Sequence, residues 1–195
     1  MPWVFVRLLK GIKMIVGLDF DNTLVKSVVS YVKIAAEKTG VKDYPPCHDY
    51  WFTDYPEKMR EEIFKLFKDP KYMQAMEPLP GAIKRLELWK RDGHKLIIIT
   101  ARDILVKEAS LKCINDLFPM IDEVFFVPIG TSKEELFKDL KIDVWIDDSP
   151  FDVPTAVRLG IKTYFISNID TFYNWEVADS KIAPVYDSVA NINFI

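Results

Sequence analysis

Apolar residues of this chain gather in short runs that are separated by longer stretches of mixed character. Three runs contain no charged residue and end at Asp or Thr, and two further runs of similar length are candidates of the same kind. Continuous apolar runs of this length fit strands that are buried on both faces of a parallel sheet. The five candidate strands are Met14 to Leu18, Leu96 to Ile99, Val144 to Ile146, Val124 to Val127 and Thr163 to Ile166.

Helical patterns lie between these candidate strands. They cover residues 82–91, 104–117, 133–140 and 153–159. Strands that alternate with helices indicate βαβ units. We therefore predict an α/β fold with a doubly wound, parallel, Rossmann-like sheet.

The alternation breaks between the first two strands. Helical patterns recur there at residues 28–38 and 57–67, and no clear strand appears. We predict a helical cap at 26–78, inserted into a core of 1–25 and 79–195. Because the insertion begins directly after the first strand, the cap is expected to cover the carboxyl ends of the strands.

Composition narrows the class of protein. The chain has 195 residues, which suits one domain with a small insertion, and a net charge of −3 from 26 basic and 29 acidic residues. No basic field favours a nucleic acid polymer or an anionic membrane. Cys47 and Cys113 lack metal-ligand or disulfide spacing, so we expect free thiols in a cytoplasmic protein. The apolar run at residues 2–6 is too short for a membrane span.

Six polar residues that are suited to catalysis or to binding a metal or a phosphate follow the predicted strands or begin a helix. They are Asp19, Asp21, Thr100, Lys133, Asp147 and Asp148. The carboxyl ends of parallel strands share one edge of the sheet, so these side chains are expected to converge there. Four carboxylates would repel each other by roughly 4 kcal/mol per pair at about 4 Å and an effective dielectric constant of about 20. The oxygen ligands suit Mg²⁺, and Ca²⁺ or Mn²⁺ would also accept them.

Two of these positions are suited to an anion. Thr100 offers its hydroxyl and the N–H of Ala101, although a β-branched residue also fits the end of a strand. Lys133 follows a capping-box pattern at a helix start, where a cation opposes the helix dipole. A lysine beside a helix N-terminus predicts a phosphate site.

Four motifs together resemble the haloacid dehalogenase superfamily of phosphotransferases. They read LDFDNT, IITAR, SK and WIDDSP, in the order of that superfamily. The inserted segment is similar, more narrowly, to the deoxyribonucleotidase branch, through Pro70-Lys71-Tyr72-Met73 and the phrase MEPLPGA that begins at Met76. The resemblance implies a phosphomonoester hydrolase that acts on a small molecule, with a nucleotide as the expected substrate.

The same resemblance implies a role for each residue of the site. Asp19 would be the nucleophile that forms an aspartyl-phosphate, and Asp21 would protonate the leaving group and then activate water. The implied Mg²⁺ ligands are Asp19, the backbone carbonyl of Asp21, and Asp148, with Asp147 behind it. Thr100, Ala101 and Lys133 would bind the phosphoryl group.

The residues that read the leaving group are less sharply defined. We assign Thr23, Trp51, Phe52 and Arg102 to substrate binding. Tyr50, Trp51, Phe52 and Tyr55 fit base stacking and fit the core of the cap equally well. The phrase after Thr100 is Ala101-Arg102-Asp103, where the deoxyribonucleotidase branch has a Ser-Pro type, so the sugar and base contacts of that branch do not carry over directly.

Other classes of function stay open at this point. Within the superfamily, the substrate could instead be a sugar phosphate or a phosphoprotein, although a cap hinders a protein substrate. A signalling receiver domain also uses acids, Thr and Lys, and a non-catalytic nucleotide-binding protein can share the fold. A homodimer is compatible with the sequence.

Overall fold

A computed structural model describes residues 13–47, 49–73, 76–167 and 182–194 of the chain. Its centre is a sheet of six parallel strands. The strands are β1 (Ile15–Leu18), β2 (Lys95–Ala101), β3 (Glu123–Val127), β4 (Val144–Asp147), β5 (Lys162–Ile166) and β6 (Val185–Tyr186). The five strands predicted from apolar runs are all present. The sixth was not predicted, because two residues carry too little periodicity to be recognised.

The order of strands across the sheet is β3-β2-β1-β4-β5-β6. β1 is therefore central, and Val16 pairs with Leu96 on one side and with Val144 on the other. The direction of the strand order reverses between β1 and β4, and in open α/β sheets ligands bind in the crevice at such a point. The predicted α/β, Rossmann-like fold is confirmed.

Helices cover the sheet and fill the long connection after β1. The helices are α1 (Ser27–Thr39), α2 (Glu57–Leu66), α3 (Pro70–Met73), α4 (Ala82–Arg91), α5 (Lys107–Leu117), α6 (Glu134–Asp139) and α7 (Asp152–Arg158). The first four lie between β1 and β2, and α1 to α3 fall within residues 26–78, where the sequence predicts helices. The single turn of α3 was not predicted. None of the described helices is long and apolar enough to cross a membrane.

The two faces of the sheet pack against different groups of residues. Leu96 and Ile98 belong to the larger core, which also contains Leu18 and residues of α1 and α2. Ile97 and Ile99 point the other way, into a smaller core around Trp145. Successive strand residues face opposite sides of a sheet, so burial on both faces explains why these strands are apolar throughout.

One glycine in β1 makes room for the largest side chain of the smaller core. Gly17 pairs with Trp145 in the sheet, and a Cβ at Gly17 would lie 2.7 Å from Cε3 of that indole. The indole packs on Phe137, with ring centroids 4.6 Å apart. The absence of a side chain at Gly17 thus lets Trp145 lie flat beneath the carboxyl ends of β1 and β4.

Candidate active site

The first acidic residue is fixed by the sheet itself. Asp19 follows β1 directly, and its backbone N–H donates to the carbonyl of Ile146 in β4 at 2.9 Å. Asp147 ends β4 and Asp148 follows it. These carboxylates meet because β1 and β4 are neighbours, although 128 positions separate residues 19 and 147.

A tight turn then redirects the chain towards α1. Asn22 has a φ of 56°, in the left-handed region that asparagine tolerates better than most residues. Its backbone N–H donates to Val25, and its side-chain oxygen accepts from the hydroxyl of Ser27 and the N–H of Val28. This turn holds the Asp19-Phe20-Asp21 segment at the edge of the sheet.

Lys133 lies among three carboxylates. Its ammonium is 2.7 Å from Oδ1 of Asp19, 3.0 Å from Oδ2 of Asp147 and 3.3 Å from Oδ2 of Asp152. It also lies 4.9 Å from the centre of the Trp145 ring. Burial by itself would lower the pKa of Lys133, but the three carboxylates outweigh it and raise the pKa well above its usual value. Lys133 is therefore charged, and it offsets part of the negative charge of the acids around it.

Asp147 and Asp148 accept hydrogen bonds from different parts of the protein. Asp147 is fully buried and accepts hydrogen bonds from the indole N–H of Trp145 at 3.0 Å and from the N–H of Ser149 at 2.8 Å. Burial raises its pKa to about 7, although Lys133 opposes that change. Asp148 accepts from the hydroxyl of Thr23 at 3.3 Å. The orientation of the Asp147 carboxylate is thus fixed by Trp145 and Ser149.

Three of the carboxylates can share one cation. Oxygens of Asp19, Asp147 and Asp148 all lie within 4.8 Å of one another. Burial raises the pKa of Asp19 well above its usual value, and the neighbouring acids add to this rise, although Lys133 opposes it. A second cation among the carboxylates would stabilise their charged forms further. An all-oxygen set of this kind suits Mg²⁺. The residues present fit the cofactor that the sequence predicts.

Asp21 has a separate partner. Both of its oxygens accept from Arg102, at 2.7 Å from Nε and 2.5 Å from Nη2. Arg102 is buried, with 3% of its surface exposed, and it does not line the pocket at the site, whereas Asp21 does. The structure places Arg102 behind Asp21. Its guanidinium contacts Asp21 and does not face the pocket, where the sequence had predicted a contact with the substrate.

The predicted anion contacts lie at the end of β2. Thr100 is fully buried, and its hydroxyl has no hydrogen-bond partner within the described part of the chain. Ala101, the next residue, lines the pocket. A buried hydroxyl without a partner costs free energy, so a ligand that accepts from it would be favoured.

A pocket of about 440 Å³ opens above the acids. Tyr50, Trp51 and Phe151 form an aromatic group in its wall, with ring centroids between 5.3 and 6.3 Å apart. Trp51 is 48% exposed and Phe151 is 55% exposed. Phe52 also borders the pocket but is buried against Tyr55. An exposed aromatic surface therefore lies beside a strongly polar site.

Two residues of this site were not predicted from the sequence, and two that were assigned to substrate binding, Arg102 and Thr23, do not line the pocket. Asp152 pairs with Lys133, and its spacing of four from Asp148 in the first turn of α7 was an available signal. Phe151 lines the pocket, and only an apolar residue beside the acid motif pointed to it. Thr23, which we assigned to substrate binding, is fully buried behind Asp148 and does not line the pocket.

These features define a class of protein. A parallel sheet of this order, with an acid pair after β1, Thr after β2, Lys before α6 and acids after β4, is that of a haloacid dehalogenase-like phosphatase, a phosphoric monoester hydrolase. Residues 13–182 match the model of the family "5' nucleotidase, deoxy (Pyrimidine), cytosolic type C protein". The chain belongs to this family.

One protein of similar sequence and two of similar structure can be compared with this chain. A Bacillus cereus protein named "Putative nucleotidase" is 25% identical over 159 residues, which cover 76% of this chain and 83% of that protein. A predicted phosphatase from Clostridium acetobutylicum has a similar structure, with a TM-score of 0.62, 20% identity and coverage of 92% and 95% of the two chains. A dehalogenase structure gives 0.59 at 15% identity, covering 94% and 96%. At these identities the two structures show the fold alone.

The position of Lys133 yields a stability prediction. Replacing it as Lys133→Met leaves buried carboxylates without their cation, and breaking a buried ion pair in this way costs about 3–5 kcal/mol. We expect the free energy of unfolding to fall by that amount in urea titrations with a chelator present. Lys138→Met is the matched control, because Lys138 is exposed on α6 and, within the described residues, forms an ion pair with Glu134 alone, so a change within about 1 kcal/mol is expected. Equal stability of the two variants would contradict the role given to Lys133.

Proposed function

We propose that the chain is a Mg²⁺-dependent phosphatase that forms an aspartyl-phosphate on Asp19 and acts on ribo- or deoxyribonucleoside monophosphates. The observation that carries this proposal is the position of Asp19. Its carboxylate is buried beside Lys133 and two further acids, at the base of a pocket with an aromatic wall. We further propose that residues 26–78 act as a cap over the site.

The reaction follows from the arrangement of the acids. In the first step, an oxygen of Asp19 bonds to phosphorus while the bond to the leaving oxygen breaks, and that oxygen takes a proton from Asp21. In the second step, water bonds to phosphorus, the bond to Asp19 breaks, and the water proton passes to Asp21. The site is thereby returned to its initial state, which hydrolysis requires.

The remaining residues bind and balance the phosphoryl group. Lys133 and the Thr100 hydroxyl are the groups of this chain that would hold its oxygens, together with the N–H of Ala101. Asp19 and Asp148, with Asp147 behind them, would hold Mg²⁺, which supplies positive charge against the carboxylates and the phosphate. Asp148 is proposed as the more direct ligand, as the resemblance to the superfamily implies.

The substrate class rests on the pocket wall. Trp51 and Phe151 present exposed aromatic surface next to the acids, and Tyr50 lies between the two, in contact with both rings. A nucleobase can stack on such a surface, and stacking is worth about 1–3 kcal/mol per base. A sugar phosphate has no comparable flat group, so this wall favours nucleotides.

The proposed reaction is tested by phosphate release from a panel of substrates. We expect turnover of nucleoside monophosphates with Mg²⁺ and none with a chelator. Asp19→Asn should reduce turnover by more than about 10⁴-fold, which is the scale of losing a covalent nucleophile. Asp116→Asn is the control, because Asp116 is exposed and pairs with Lys112 away from the site.

Each other result of that panel has a defined meaning. Faster turnover of sugar phosphates than of nucleotides would overturn the substrate class. Release that does not depend on metal, or that survives in Asp19→Asn, would overturn the mechanism. A protein that binds nucleotides and releases no phosphate would be a non-catalytic binding protein.

The aromatic wall gives a separate prediction about affinity. Trp51→Ala and Phe151→Ala should each raise KM for nucleoside monophosphates by about 5- to 150-fold, because a stacking surface is lost. KM for glycerol phosphate, which has no base, should stay unchanged. Ile104→Ala is the control, since Ile104 is 71% exposed and lies outside the pocket lining. Equal losses for glycerol phosphate and nucleotides would contradict base stacking.

A further inference from the structure

The residue two positions after Thr100 is the most unusual feature of the site. Arg102 is nearly completely buried, and its guanidinium contacts four side chains. Nε and Nη2 donate to the two oxygens of Asp21, and Nη1 donates to the hydroxyl of Ser110 at 3.1 Å and contacts the sulfur of Met73. The guanidinium also lies 4.8 Å from the centre of the Phe20 ring. Arg102 is thereby held on every side.

Such an arrangement is not explained by stability. A buried ion pair often contributes less than apolar residues of similar volume would, because both charges lose their hydration. Two of the side chains that contact Arg102, Phe20 and Met73, are apolar and fully buried. A charged side chain at this place therefore points to a role in the chemistry of its partner.

The geometry of the pair fixes the orientation of Asp21. A planar guanidinium that donates to both carboxylate oxygens allows one orientation of the carboxylate, whereas a lysine ammonium would allow many. The Asp21 side chain keeps 18% of its surface exposed, and this part faces the pocket. One side of the carboxylate is thus held by Arg102, and the other side is presented to whatever occupies the pocket.

The anchors of Arg102 come from both parts of the chain. Ser110 lies in α5, beside the sheet, whereas Met73 ends α3 in the inserted segment. Met73 also accepts from the hydroxyl of Tyr31 in α1, at 3.8 Å. The orientation of Asp21 consequently depends on the seating of the inserted helices against the sheet.

We propose that Arg102 is a positioning residue that orients Asp21 for proton transfer to the leaving oxygen and from the attacking water. This inference rests on the proposed function, since it assumes that Asp21 exchanges those protons. It also gives a reason for the phrase Ala101-Arg102-Asp103, which replaces the Ser-Pro type after Thr100. Arg102 itself bonds to neither phosphorus nor the transferred proton.

The test compares two substrates that differ in their need for a proton. The nucleoside of a nucleoside monophosphate is a poor leaving group as an alkoxide and needs a proton, whereas p-nitrophenolate leaves without one. With p-nitrophenyl phosphate, the first step then proceeds without Asp21, while hydrolysis of the aspartyl-phosphate still needs it. Rapid mixing with Mg²⁺ separates the two steps as a burst of nitrophenolate followed by steady turnover.

We expect Arg102→Met to lower kcat for nucleoside monophosphates by about 100-fold, the scale of a misplaced catalytic group. The rate of the nitrophenolate burst should stay within threefold of wild type, its amplitude should approach one per enzyme, and the following turnover should slow. Arg102→Lys keeps the charge without the fork, so it should show the same pattern to a smaller degree. It also serves as the second variant if Arg102→Met does not fold.

Arg85→Met is the matched control. Arg85 makes a comparable set of hydrogen bonds, to the carbonyl of Ala190 and the side chain of Asn193, but it lies away from the pocket. It should lose stability and leave the ratio of the two substrates unchanged.

The outcomes separate this inference from the proposed function. An active wild type whose Arg102 variants lose the burst and nucleotide turnover equally, or lose neither, would overturn the positioning role alone. A wild type that releases no phosphate from either substrate would overturn the proposed function and this inference with it.

Discussion

The repulsion among carboxylates at the carboxyl ends of β1 and β4 is the constraint on which the rest of the site depends. Asp19, Asp147 and Asp152 surround the one ammonium of Lys133, and Asp148 adjoins them. One cation does not balance four acids, so the site has capacity for a further cation. Lys133 offsets part of the desolvation cost that each buried carboxylate would face as a lone charge.

The side chains packed below the edge of the sheet hold these acids in place. Gly17 leaves space for the indole of Trp145, whose N–H holds Asp147 and whose ring lies beside the Lys133 ammonium. Arg102 has the corresponding place beside Asp21, on the other side of β1. The two acids that follow β1 are therefore held by different cations. This separation suits two carboxylates that are proposed to perform different steps of one reaction.

The features that could be predicted from the sequence are those that a local pattern of residues encodes. Apolar runs specified five strands, and motif order predicted that Asp19, Lys133 and Asp147 would meet at one edge of the sheet. β6 and α3 are too short to leave a periodic signal. The partner of Arg102 was not predictable, because the contact joins positions 81 residues apart and depends on how the inserted helices pack. The contact between Thr23 and Asp148 was not predictable for the same reason.

The central claim is that Asp19 bonds to phosphorus. The most direct measurement is to mix the protein with Mg²⁺ and a nucleoside monophosphate, quench with acid within the first turnover, and reduce with borohydride. Reduction converts an aspartyl-phosphate to homoserine, which mass spectrometry of the digested protein locates. The account predicts homoserine at position 19 and at no other acid. Homoserine at Asp21, Asp147 or Asp148, or its absence while phosphate is released, would contradict the account.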